Sequence, residues 1–168
     1  MSCLVLSLLG PFQALLDDQP LTGFRSDKSR ALLAYLAAEA PRPHPRGVLA
    51  GLLWPNHPDD VALTYLRGAL ANLRRLLGDE QGAHVPFLLA ERAAIQLNPS
   101  APLQVDTAAL DALDALDGPL PLGGAHLPTT AALERAALLY RGPFLEGFAL
   151  DDSPPFEEWL LLKREHYQ

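Results

Sequence analysis

Arg67, Asn72, Arg74 and Arg75 stand close together in the stretch PDDVALTYLRGALANLRRLLG, residues 58–78. Two side-chain types there carry base-reading chemistry. A guanidinium fork donates two parallel hydrogen bonds to guanine, and a carboxamide donates and accepts at once on adenine. Gly68 and Ala71 between them are too small to hold a partner away. At about 100° per residue of helix, Thr64, Arg67, Gly68, Ala71, Asn72 and Arg75 gather on one side. Leu63, Leu66, Leu70, Leu73 and Leu77 recur at steps of three and four on the other. The pattern predicts a helix whose apolar face turns inward and whose polar face suits the major groove of a duplex. A surface helix that merely ends in arginines has the same pattern, so the flanking sequence has to decide.

Signals for both ends of this helix are present. Pro58 fits a first turn, and Asp59 and Asp60 put carboxylates at the positive end of the helix dipole. Arg74 and Arg75 sit near the negative end, and Gly78 supplies a left-handed stop, which bounds the helix at Asp59–Leu77. Ahead of it, Arg46 to Trp54 reads as a short helix halted by Pro55, with Asn56-His57-Pro58 as the turn. Helix, turn and polar-faced helix is the helix-turn-helix order.

Further upstream, Ser26 is an N-cap candidate for a helix from Asp27 to about Glu39, with Leu32, Leu33 and Leu36 inward and Lys28 and Arg30 near its start. Pro41–Pro45 reads as a stiff linker. The runs 3–9 and 12–16, the turn at Asp17-Asp18 and a short run from Pro20 to Thr22 predict a small antiparallel sheet. Beyond Gly78 and a polar link, Pro86–Ala90 and Ala93–Leu97 form a hairpin with Glu91-Arg92 at its tip. Such a hairpin is the wing of a winged helix, and Arg92 is placed to enter a minor groove or touch phosphate.

Composition changes at Asn98–Pro102. Residues 1–100 carry nine Lys/Arg and nine Asp/Glu, whereas 101–168 carry four and eleven, so the net charge of −7 belongs to the second part. DNA contact must then come from a local patch and not a general field. The second part reads as helices: Val105–Leu116 opened by Asp106, Thr129 to Arg141 with Leu133, Ala137 and Tyr140 on one side, and Phe156–Gln168. A Gly/Pro-rich loop spans Gly118–Pro128. The last helix runs out without a stop signal, which predicts a truncated helical array.

Several chemistries are disfavoured. One cysteine, Cys3, excludes an internal disulfide framework and fits a reducing cytosol. No apolar run reaches the ~18 residues of a membrane span, and no basic segment precedes one at the N-terminus. His57, Asp59 and Asp60 cluster without any HxxxH or CxxC companion, so neither a metal nor another cofactor is expected. No nucleophile elbow or phosphate loop is present, and catalysis is not expected.

Three stretches, taken together, resemble one family: RALLAYL, then LLWPNHPDDVALTYLRGALANLRRLLG, and later LYRGPFLEGF followed by FEEWLLLKRE. They are similar to the antibiotic-regulatory-protein (SARP) type of bacterial transcription activator. The resemblance implies an α+β fold, an OmpR/PhoB-like winged helix-turn-helix over 1–100 with a small antiparallel sheet, three helices and a C-terminal hairpin wing. An all-α, tetratricopeptide-like bacterial transcriptional activator domain would begin at 103–168. It further implies binding to double-stranded promoter DNA at direct repeats, self-association on the DNA, and contact with RNA polymerase in the cytoplasm. By position, Thr64, Arg67, Gly68, Ala71 and Asn72 would face bases. Lys28, Arg30, Trp54, Arg74, Arg75 and Arg92 would lie near phosphates, and Pro55, Asn56, His57 and Asp59 would form the polymerase-facing turn. The wing departs from the family's usual aromatic–leucine ending, reading Ala94-Ile95-Gln96-Leu97. The rival expectation is a protein-interaction module whose winged helix no longer binds DNA, consistent with the neutral charge of residues 1–100.

Overall fold

The structure, a computed structural model, describes residues 3–79, 85–116, 134 and 137–167. In chain order its elements are β1 (Leu4–Ser7), β2 (Gln13–Leu16), β3 (Gln19–Pro20), α1 (Asp27–Ala38), β4 (His44–Pro45), α2 (Arg46–Leu53), α3 (Asp59–Leu77), β5 (Leu88–Ala90), β6 (Ala94–Leu97), β7 (Leu103–Val105), α4 (Asp106–Leu116) and α5 (Pro154–His166).

β1 alternates buried Leu4 and Leu6 with half-buried Val5 and Ser7, as a one-sided strand must. It pairs antiparallel with β2, Leu4 facing Leu16, and β2 turns into β3 through Asp17 and Asp18. Both aspartates have positive φ, 51° and 66°. That is the backbone of a two-residue hairpin turn with the twist of its strands, and short polar side chains tolerate it.

The sheet is not purely antiparallel. β7 adds to the free side of β1 in parallel register, Leu4 opposite Leu103, giving the order β3-β2-β1-β7. The expected boundary near residues 100–103 therefore runs through a shared sheet. Asp106, read from sequence as a helix opener, also fastens this junction. Its buried carboxylate accepts the backbone N–H groups of Leu8, Leu9 and Thr107 at 2.8–2.9 Å. Phe144, Leu145, Phe156 and Leu160 belong to the same apolar cluster as Leu4, Leu33 and Leu66, so both halves share one core.

Residues 41–45 are likewise more than a linker. His44 and Pro45 form β4, paired antiparallel with β6 opposite Ile95 and Ala94. The order β4-β6-β5 makes a second, three-stranded sheet. α5 lies where expected, beginning with prolines in its first turn, where no backbone donor is lost. Phe156 and Leu160 are buried, but Leu162, expected on the apolar side, is 61% exposed. The expected loop at 118–128 lies outside the described residues. So does most of the expected helix at 129–141; of it, 137–139 are helical, and Ala137 and Tyr140 are exposed.

Candidate nucleic-acid interface

α3 has the bounds its end signals require. Pro58 precedes it in an extended conformation, and Gly78 closes it at φ 75°, its N–H directed to the carbonyls of the last turn. Leu66, Leu70, Leu73 and Leu77 are buried and Leu63 partly so, which turns the opposite face to solvent. Thr64, Arg67, Gly68, Ala71, Arg74 and Arg75 are all exposed on it. The Thr64 hydroxyl donates to the Asp60 carbonyl at 3.0 Å, and Arg67 Nε to the Leu63 carbonyl at 3.4 Å. Both side chains are thereby steadied along the helix while the rest of the Arg67 guanidinium stays outward. No described carboxylate pairs with Arg67, Arg74 or Arg75. A methyl group built at Gly68 would meet nothing within 4 Å. The glycine is not demanded by packing inside the protein, although glycine in a helix interior costs about 1 kcal/mol against alanine.

Asn72 departs from the expected face. It is 1% exposed, and its amide is spent on the loop before α1. Oδ1 accepts from Arg25 N at 3.0 Å and Nδ2 donates to the Gly23 carbonyl at 3.1 Å. At about 100° from Ala71, Asn72 falls at the margin of the polar face, where that loop folds over it. It positions α3 against α1 and is removed from the base-facing set.

The expected phosphate ligands divide. Arg92 is exposed at the tip of the β5–β6 hairpin. That hairpin is anchored to the helices by Arg46 Nε, which donates to the Glu91 carbonyl at 2.8 Å. At its base the Asp79 carboxylate accepts from Phe87 N and Leu88 N. Arg30 is half-buried, 2.8 Å from Asp27 and over the Phe24 ring. Trp54 is only 9% exposed, its ring 6.0 Å from that of Tyr65 and beneath the Lys28 ammonium. Lys28 is engaged by the chain itself, 3.0 Å from Asp152 and bonded to the Leu53 carbonyl and the Ser153 hydroxyl.

In the α2–α3 turn, Asn56, His57 and Asp59 are exposed and Pro55 is partly covered. Asn56 Nδ2 donates to the Asp152 carbonyl at 3.2 Å, and the His57 ring meets Tyr65 edge to face at 5.1 Å. Tyr65 was not expected at the site. It is 45% exposed and, with Arg25, Lys28, Trp54, His57 and Gly68, lines a groove of about 400 Å³ beside α3. Its signal was an aromatic at the polar margin of an amphipathic helix. Among the described residues no three metal-ligating side chains converge, and no helix is long and apolar enough to cross a membrane.

No family model and no curated protein matches the chain. Among solved structures it is similar to Mycobacterium tuberculosis EmbR, a structure determined in complex with a low-affinity phosphopeptide. The two share 26% identity and superpose with a TM-score of 0.68 over 99% of this chain. The fold is EmbR-like. The chain spans 43% of the length of that EmbR chain, so what the whole of EmbR does is not transferred with the fold.

Proposed function

We propose that this chain is the double-stranded-DNA-binding part of a bacterial transcription activator of the SARP type, and that it is not an enzyme. The observation that carries the reading is the outer face of α3. Three arginines with no carboxylate partner among the described residues, a threonine and two residues of minimal size lie together on a helix braced from behind by α1 and α2. EmbR is itself a SARP-family transcriptional regulator, which supports the same class. In this reading α3 enters the major groove. Thr64, Arg67, Gly68 and Ala71 lie toward bases, Arg74 and Arg75 meet phosphates, and the hairpin carrying Arg92 flanks the neighbouring groove. The acidic helical half supplies partner contacts, with RNA polymerase met at the α2–α3 turn and copies arranged on direct repeats.

Fluorescence anisotropy tests the reading. Duplex from upstream of the chain's own gene cluster is compared with scrambled duplex at about 50 and 200 mM salt, where phosphate contacts declare themselves. The native duplex is expected to bind tighter, with affinity falling steeply as salt rises. Arg67→Ala should relax preference at one base position by roughly 1–3 kcal/mol. Equal losses on both duplexes would remove Arg67 from base readout, and a folded protein that binds neither duplex would point to the protein-interaction module instead.

A further inference from the structure

Lys28 occupies the groove wall that a duplex on α3 would approach, yet its ammonium has no donor to spare. An ammonium has three N–H groups. Here they meet the Asp152 carboxylate, the Ser153 hydroxyl and the Leu53 carbonyl. The three partners are unequal. Leu53 and Ser153 are fully buried and uncharged. Asp152 carries the balancing charge, and its side chain is 65% exposed against 14% for that of Lys28. The open side of this pair is the carboxylate's. The adjoining groove also presents Arg25, Ser26 and Gly68, so its wall is continuous with the outer face of α3.

Resting on the DNA-binding reading above, we propose that Asp152 is an internal stand-in for a backbone phosphate. It holds the Lys28 ammonium in the free protein and yields it to the phosphodiester when a duplex docks. The acidic half thereby restrains DNA binding through one exchangeable ion pair. The exchange is close to neutral in charge at Lys28, since one anion replaces another. The released carboxylate then faces a phosphate, and their repulsion favours withdrawal of the 151–153 segment. That segment also touches the α2–α3 turn, through the Asn56 amide on the Asp152 carbonyl. Release at Lys28 is therefore felt at the turn. The Lys28 hydrogen bond holds the Asp152 carboxyl below the usual carboxylate range, and a carboxyl in or below that range is ionised at neutral pH, where the restraint is in force.

Salt dependence separates this arrangement from an ordinary structural ion pair. A free lysine meeting a phosphate releases about one condensed counterion. A lysine taken from a carboxylate releases the same counterion, but the freed carboxylate is left facing the phosphates, and their repulsion, strongest at low salt, offsets much of that contribution to the salt slope. The experiment is fluorescence anisotropy of the full chain on the upstream duplex, from about 50 to 200 mM salt. Asp152→Asn should bind about three- to tenfold tighter at the lower salt and steepen the log–log slope by about one. The double variant Lys28→Ala/Asp152→Asn should lose both gains. Wild type that binds while Asp152→Asn matches it in affinity and slope overturns the restraint and leaves the DNA reading standing. Gains that survive in the double variant overturn it too, since they would not arise at Lys28. If neither wild type nor Asp152→Asn binds duplex at low salt, the DNA reading itself fails and the restraint falls with it.

Discussion

Gly68 and Asn72 stand four residues apart on α3 and act in opposite directions. Asn72 faces the protein and holds the backbone at Gly23 and Arg25 to the helix. Gly68 faces outward and touches nothing with the position its Cβ would occupy. A helix interior gains up to about 1 kcal/mol when glycine becomes alanine, because the unfolded chain loses less freedom on folding. Gly68→Ala should therefore raise the urea midpoint. If the backbone at Gly68 comes close to a duplex, the same methyl should weaken DNA binding severalfold. A variant that is both more stable and equally tight would place Gly68 outside the contact. The helical period made the outward placing of Thr64, Arg67, Gly68, Ala71 and Arg75 legible, because an outward face is a local property of spacing. It misplaced Asn72 because the loop that covers it lies 47 residues upstream, which no local pattern records.

At the scale of elements, α3 was readable to the residue because both ends carry their own signals, Pro58 before it and Gly78 after it. β4 and β7 were not. They are two and three residues long, too short to show a period, and exist because β6 and β1 offer them unpaired edges. β4 brings a titratable group into the interior. His44 is 4% exposed, its ring 5.1 Å from Tyr35, and its Nε2 has no hydrogen-bond partner among the described residues. Burial, aided by the positive charge of Arg42, pushes its pKa below the ordinary histidine value. The folded state thus binds this proton less readily than the unfolded chain. Its stability contribution is intact above the unfolded pKa of about 6.5 and is lost as pH falls from there through the folded value. Glu39, five residues before His44 at the C-terminal end of α1, belongs to a lower window. Burial opposes its ionisation, but hydrogen bonds from Trp159 and Lys163 prevail and hold its carboxyl below the usual range. Between pH 7 and 5 the urea midpoint should decline, and His44→Phe, which keeps an aromatic ring against Tyr35, should flatten that decline. An unchanged slope in the variant would locate the acid sensitivity elsewhere.

For the whole molecule, the consequential feature is that its two compositional halves are not two structural ones. The charge change near residue 100 marks a real difference in surface, but the core runs across it. Asp106 concentrates this continuity in a single carboxylate, which satisfies two N–H groups of the segment that follows β1 and one of α4. Asp106→Ala would orphan three buried donors at about 1–3 kcal/mol each, a loss of several kcal/mol against the 5–15 kcal/mol that holds a typical domain. The effect should be visible where the halves meet. Amide exchange at Leu8 and Leu9 should accelerate strongly, and α3 and the β5–β6 hairpin should lose protection along with them, because they share the core that β1 helps to close. If exchange accelerates only at Leu8, Leu9 and Thr107 while α3 keeps its full protection, the sheet junction is a local clasp and the DNA-facing helices stand independently of it. In that case the restraint at Lys28 would be the principal means by which the acidic half reaches α3. If protection falls everywhere together, any partner that loosens the helical half also loosens α3, and DNA binding is coupled to that half through the core as well as through the Lys28–Asp152 pair.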